Sequence, residues 1–468
     1  MVTLGSPATV VSLPSARSSR TLAWRTGATI AIWATSLFVV AIWVLGGGVS
    51  AFFGFTGETL TTLGRLAGLI SANLQLYQVL LMARVPLFER GFGRDAITRM
   101  HRNVGFWSFW LLVAHIVLVA GGYAQTAGLN LVAQVWSFIW DYPGMLLATA
   151  GTLLILLVVV TSIRRARRRL RYESWHLLHL YAYIGVGLAL PHQLWTGADF
   201  LSSPVATGYW WGLWAVAAAS VLLFRIGAPA WRSWRHSIRV TGVDADGARG
   251  VTVRMSGRDL HRLGARAGQY FVWRFLDGPG WTRGHPFSLS GAPSAGGLTI
   301  SARFAGDGTQ RLTRLRPGTR VLIEGPYGHL TGGVRTGSKL LMIGAGAGVA
   351  PLVSLLEAES WKAGEATLVT RDTSLMDGMR QVEIADLVVR RGLHHVVLTG
   401  PRSGGASPWI PLTHRNWHGP DLIRHVIQDI GEYDAYVCGP IPWMDAVVRD
   451  LRAAGIPAGR IHTESFTI

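Results

Sequence analysis

Four histidines stand in apolar surroundings at spacings that suit metal chemistry. His101 and His115 share one apolar run, about residues 99–119, and His179 and His192 share another, about 175–194. On a helix rising roughly 1.5 Å per residue, each pair is separated by about 20 Å along the axis. That distance fits inside a hydrocarbon core about 30 Å thick. Ionisable residues at such depth are costly and mark function, and imidazole nitrogen is a common axial ligand of haem iron. Two helices with histidines at matched depths therefore predict two stacked haems, each held between one imidazole from either helix. The plainer alternative is four membrane histidines that hydrogen-bond to neighbouring helices. His101 and His115 return to within roughly 40° of one stripe, whereas His179 and His192 fall about 140° apart on an ideal helix. Pro191, with Gly185 and Gly187, offers a local distortion. His176 is a rival to His179 as the inner ligand.

These histidines need spans to carry them. The 468 residues are 49% hydrophobic, with a mean hydropathy of +0.30, too apolar for an ordinary soluble enzyme and too long for one domain. After a polar tail (1–24), apolar runs at about 25–45, 59–82, 99–120, 143–163, 175–194 and 208–226 predict six transmembrane helices. The first is read as retained, because its apolar core is longer than that of a signal peptide. Arg84, Arg90, Arg94 and Arg99 lie between spans two and three, and Arg164, Arg165, Arg167, Arg168, Arg169 and Arg171 between four and five. Loops 46–58, 121–142 and 195–207 hold no Lys or Arg. The positive-inside rule then puts both termini in the cytoplasm, pairing His101 with His179 and His115 with His192. The formal charge of +18 reads as topology rather than as a nucleic-acid footprint. Arg65, inside the second span, either snorkels to the headgroups or presents a cation to haem propionates or an acceptor. One cysteine, Cys438, excludes an internal disulfide and a four-cysteine iron–sulfur cluster.

Past a basic connector the pattern becomes soluble. Short alternating runs over 237–330 separated by Gly and Pro predict a small antiparallel β-barrel. From 338, strand–helix alternation predicts a parallel α/β sheet. Gly344, Gly346 and Gly348 follow an apolar strand, and Pro351 opens a helix. Such a turn lets backbone approach a pyrophosphate at a helix N-terminus, although the spacing is GxGxG rather than GxGxxG. Cys438, Gly439 and Pro440 end a later strand of that sheet, Cys438 being either part of the site or a small core residue. Arg371, after the second strand, could take a ribose 2′-phosphate by bidentate contact, which favours NADPH over NADH. An ordinary surface arginine is the alternative. In the barrel, Phe287 and Ser288 suit a flavin ring and its edge, while Arg303, Gly306 and Thr309 suit its diphosphate.

Taken together, residues 26–468 resemble the ferric reductase and NADPH oxidase superfamily. The match is carried by the four histidines, His285-Pro286-Phe287-Ser288, Arg303 with GDGT, EGPYG at 324–328, GAGAGVAP at 344–351, RDT at 371–373, and CGP at 438–440. The resemblance implies a six-helix all-α membrane bundle with two b haems over 25–230, an antiparallel β-barrel FAD domain over 231–335 and an α/β NAD(P)H domain over 336–468. It implies haem ligation by the histidines, FAD held by the HPFS block and Arg303, and NADPH held by the glycine loop and CGP. The ending ESFTI is similar to a family region whose aromatic covers the flavin, making Phe466 the candidate. Phe466, Cys438 and Arg65 are the candidate catalytic residues. There are departures: soluble relatives carry Arg-x-Tyr-Ser where this chain has HPFS, and Val119 stands where animal oxidases have a further histidine. Arg65 matches an arginine of that same oxygen-reducing site, and no calcium-binding domain precedes the first span. The expected activity is electron transfer across the plasma membrane from cytosolic NAD(P)H to an extracytoplasmic acceptor, a ferric chelate or O2. The alternatives are a haem b conduit serving a separate extracytoplasmic redox protein, and a scaffold with a silent reductase fold.

Overall fold

The computed structural model describes residues 16–54, 57–170, 172–405 and 407–464. Phe466 lies outside them. The chain divides into two compact units, Met1–Ile226 and Gly227–Ile468.

The first unit is helical. Long helices run Ala16–Leu45, Gly57–Met82, Arg94–Ala127, Met145–Ser162, Tyr172–Leu188 and Pro204–Ser220, the last continued by a π-helical turn, Val221–Gly227. Caps explain several ends. Gly128 takes the left-handed conformation after Ala127, as a C-terminal glycine does without steric cost. Ser203 accepts the Ala206 amide ahead of Pro204, a side-chain oxygen meeting an otherwise orphaned donor. Among the described residues, four helices, over Thr26–Leu45, Ala96–Ala127, Met145–Ser162 and Pro204–His236, are long and apolar enough to cross a membrane. The other two expected spans are present as helix but fall short for physical reasons. Gly57–Met82 carries Glu58 and Arg65 with Asn73, Gln75 and Gln78. The 175–194 run is broken at Ala189, and a short second helix, Leu190–Trp195, begins there with Pro191 in its first turn.

Close backbone contact holds these helices together. A Cβ on Gly151 would lie 2.5 Å from the Gly185 carbonyl, and one on Gly185 would lie 2.9 Å from the Gly151 carbonyl. Small residues permit such approach where no hydrophobic force separates lipid from helix. The expected outer loop 121–142 contains a helix of its own, Leu131–Asp141, capped by Asn130. Its Gln134 is buried, while Val132, Trp136 and Trp140 are exposed, the reverse of a water-facing helix and the pattern of an interfacial one.

In the second unit the strands are β1 (Arg239–Ala245), β2 (Gly250–Ser256), β3 (Tyr270–Phe275), β4 (His285–Ser288), β5 (Leu298–Arg303) and β6 (Val321–Tyr327). Where one barrel was expected, hydrogen bonding divides them into two three-stranded antiparallel sheets, β1-β2-β5 and β4-β3-β6. Single bridges, Arg239–Arg320 and Leu289–Ile300, touch between them, and both sheets enclose one core containing Val253, Phe271, Trp273, Leu289 and Ile300. Five further strands, β7 (Lys339–Ala345), β8 (Ala366–Asp372), β9 (His394–Thr399), β10 (Tyr433–Cys438) and β11 (Ile461–Glu464), form a parallel sheet in the order β11-β10-β7-β8-β9. Strand order reverses between β7 and β10, and open α/β sheets bind ligands at such a point, beyond the carboxyl ends.

Candidate functional site

In the helical unit the four histidines meet in two pairs. The rings of His101 and His179 have centroids 6.0 Å apart, and those of His115 and His192 are 6.4 Å apart. His179, the rival of His176, is the ring facing His101. The break at Ala189 re-aims His192, which resolves the 140° mismatch of an ideal helix. An imidazole nitrogen lies about 2 Å from a first-row metal and about 1 Å in front of its ring centre, so two rings across one metal have centroids roughly 6.3 Å apart. Both pairs fit that spacing.

Three of the rings are also engaged through the far nitrogen. His115 Nδ1 meets the Gly64 carbonyl at 2.8 Å, His192 Nδ1 meets Thr196 Oγ1 at 2.6 Å, and His179 Nδ1 meets Ser162 Oγ at 3.3 Å. Metal-bound histidines characteristically use their second nitrogen this way, which orients the ring. Gly68 gives His115 its space, since a Cβ there would lie 2.5 Å from the ring. Gly144, at a left-handed φ of +79°, is equally constrained: a Cβ there would lie 2.8 Å from the His192 amide. All four of these supporting residues were missed by the sequence reading; the small-xxx-small spacing of Gly64 and Gly68 within an apolar run is a signal for two of them, whereas Thr196 and Ser162 carry none.

Arg65 is not a free cation. Its guanidinium grips Asp199 through both carboxylate oxygens, Nε to Oδ2 at 2.7 Å and the second contact to Oδ1. Asp199 is 6% exposed, in a short turn where Phe200 stacks on Trp210 with centroids 4.1 Å apart. The pair closes the 195–203 loop onto the Gly57–Met82 helix.

In the β-sheet part of the second unit, His285 and Phe287 project from the same face of β4, their rings parallel within 15°. Pro286 sits between them, pairing with Val272 of β3. Ser288 Oγ is buried and without a partner among the described residues, a polar atom suited to a ligand edge. Thr309 Oγ1 accepts from the Ala305 amide and donates to the Gly306 carbonyl, closing the turn it shares with Gly306. Arg303 reaches Asp372 at 2.9 Å and Asp377 at 3.4 Å. It also lies over the glycine turn, because a Cβ on Gly346 would be 2.8 Å from its guanidinium.

The two nucleotide motifs meet at the switch point. Cys438 pairs with Gly344 in the parallel register, and a Cβ on Gly348 would collide with the Cys438 carbonyl. Gly346 has φ +54°, a conformation that favours glycine. Pro351 lies in the first turn of the Val349–Ala358 helix, and Pro440 precedes the Ile441–Ala454 helix. Trp443 packs where a Cβ on Gly439 would be, and its Nε1 is buried without a partner among the described residues. The Cys438 thiol is fully buried, and burial pushes its pKa well up. A thiol held protonated in this way is a poor nucleophile, since the thiolate is the reactive form.

Arg371 departs from expectation. It is 7% exposed and donates to the carbonyls of Trp409, Asp372, Gly400 and Pro401. Its fork ties the end of β8 to the segment after β9, so the reason for preferring a 2′-phosphate is lost. The neighbouring carboxylate, Asp372, occupies the strand end instead, and burial pushes its pKa up to about 6 despite Arg303.

Residues 67–190 match the family described as ferric reductase like transmembrane component. The chain is 28% identical over 217 residues to the stachydrine N-demethylase reductase subunit Stc4 of Rhizobium meliloti, covering 42% of this chain and 57% of the relative. It is 28% identical over 240 residues to the ferredoxin–NAD(+) reductase component of the alkene monooxygenase system of Xanthobacter autotrophicus, covering 50% and 70%. With the propane 2-monooxygenase reductase component of Rhodococcus jostii it shares 31% over 159 residues, 32% of this chain and 41% of the relative. The chain thus spans between 41% and 70% of the length of these relatives. Among solved structures, the ferredoxin reductase in carbazole 1,9a-dioxygenase aligns at 22% identity and a TM-score of 0.41, covering 50% of this chain and 69% of that one. Part of the chain, residues 67–190, is thus similar to a ferric-reductase-like transmembrane component, and up to half of the chain is similar to reductase components of monooxygenase systems.

Proposed function

We propose that this chain is a six-span oxidoreductase of the plasma membrane, both termini cytoplasmic, carrying electrons from cytosolic NAD(P)H to a ferric chelate or O2 outside. When bound, FAD supplies conversion of a hydride into single electrons, and two b haems supply one-electron stations across the bilayer. The observation that carries this reading is the pairing of the four imidazoles at the spacing of ligands sharing one metal. In it, His101 with His179 and His115 with His192 hold iron, and Gly64, Ser162 and Thr196 hold three of the rings. With two imidazoles committed to each iron, the acceptor would be reduced without binding to it. His285, Phe287 and Ser288 bind the flavin, with Gly306 and Thr309 shaping the turn beside it. Gly344, Gly346, Gly348 and Pro351 receive the nucleotide diphosphate, with Arg303 above them and Cys438, Gly439 and Pro440 beside the nicotinamide. Phe466 is proposed as the aromatic cover.

NADH is the donor better supported by these residues. An acidic group at the end of the second strand pairs with a ribose 2′-hydroxyl and repels a 2′-phosphate; Asp372 stands at that strand end, paired with Arg303, while Arg371 is turned onto backbone carbonyls.

The test is anaerobic reduction of the purified full-length protein, reconstituted with FAD and haem. NADH is expected to reduce flavin and then haem in sequence. Flavin reduction with no haem absorbance at any stage would overturn the reading.

A further inference from the structure

The contact between Thr196 and His192 carries a consequence that rests on the haem reading above. The Leu190–Trp195 helix ends at Thr196, whose amide donates to the His192 carbonyl at 3.0 Å. The Thr196 hydroxyl meets that same carbonyl at 2.8 Å and His192 Nδ1 at 2.6 Å. A hydroxyl has one proton to give and a carbonyl has none. With the proton on the carbonyl contact, only lone pairs of Oγ1 face the ring, so Nδ1 must bring its own hydrogen. That leaves Nε2 unprotonated. The Gly64 carbonyl imposes the same tautomer on His115, since it can only accept. With that proton placement, both imidazoles of this pair present free Nε2 lone pairs. The corresponding contact of His179 with Ser162 is longer, at 3.3 Å.

We propose that Thr196 is a positioning residue for His192: it locks the ligating tautomer and, by drawing on the Nδ1 proton, makes Nε2 a stronger donor to iron. A hydrogen bond at the far nitrogen raises ligand basicity. A more basic axial ligand stabilises ferric over ferrous iron, lowering the potential of the haem it serves. Of the two groups that fix this pair, Thr196 is the one a substitution can remove, because the Gly64 acceptor is backbone.

The test is a potentiometric titration of the haem bands in full-length protein, comparing wild type, Thr196→Val and Thr196→Ser. Valine keeps the shape and loses the acceptor; serine keeps the acceptor. In Thr196→Val, one of two haem components is expected to shift to more positive potential while the other stays, and serine is expected to restore the wild-type value. Loss of one haem in Thr196→Val but not in Thr196→Ser would support the same role. Unchanged midpoints with both haems bound would overturn it, as would a common shift of both components or a serine variant that behaves like valine. Wild-type protein that binds no haem would instead overturn the haem reading itself, a separate result visible before any variant is made.

Discussion

Asp372 and Arg371 are adjacent residues with opposite fates. The arginine, which the sequence offered to a phosphate, is folded under the strand end, and the equally buried aspartate pairs with Arg303 beside the glycine turn. Preference for NADH should therefore depend on pH. The Asp372 carboxyl, with its pKa near 6, loses its charge as pH falls through that value and stops repelling a 2′-phosphate. The kcat/KM ratio of NADPH to NADH should rise below about pH 6, and Asp372→Asn should raise it about tenfold at neutral pH, roughly 1.4 kcal/mol, and flatten its pH profile. Arg371→Ala should leave that ratio unchanged and cost about 2–4 kcal/mol, because several buried carbonyls lose their donor. Arg65 behaves likewise as a partner rather than a free charge. Removing it strands Asp199, and Arg65→Ala should destabilise the helical unit by about 2 kcal/mol. This is less than a fully buried pair would cost, because the arginine side chain is 40% exposed. A double-mutant cycle with Asp199→Ala measures the coupling.

Helices owe their contacts to glycine. Gly68→Val should displace His115 and halve the bound haem, whereas Gly187→Ala, with nothing within 4 Å of the added carbon, should leave haem content unchanged. In the second unit, Asp434 at the start of β10 anchors the segment before β7. It accepts from the Thr336 and Gly337 amides and from His462 Nε2 at 2.7 Å. Burial works against its charge, but these donors hold its pKa below the usual carboxylate value. Its stabilisation is complete above about pH 4 and is lost as pH falls through the lowered value. Asp434→Asn should lower Tm at neutral pH and remove that acid-side slope. Apolar runs and their turn residues made the helices, the strands β1–β3 and β5–β10, and the glycine-turn placement legible, because these are local patterns. Pro191 marked the break that turns His192. Other features were not legible, since each depends on residues far apart: Arg65 meets Asp199 across 134 positions, Arg371 meets carbonyls up to 38 positions away, and the strands of the expected barrel divide into two sheets by register. The Leu131–Asp141 helix was hidden by its similarity to a loop with an aromatic belt.

On the scale of the whole chain, the proposed route separates charge. Electrons leaving the cytoplasm with protons left behind gain roughly 2.3 kcal/mol per 100 mV of inside-negative potential. Turnover in sealed vesicles should then be electrogenic and should slow as an opposing potential builds; charge-neutral turnover would contradict the orientation derived from the arginine-rich loops. All of this depends on iron being held by the paired imidazoles. The most direct measurement is haem bound per chain in purified protein, for the wild type and for His→Ala variants of each pair. Two haems are expected in the wild type, one when either His101 and His179 or His115 and His192 are replaced, and none when all four are. Two haems retained in the fourfold variant, or none in the wild type supplied with haem, would contradict the account.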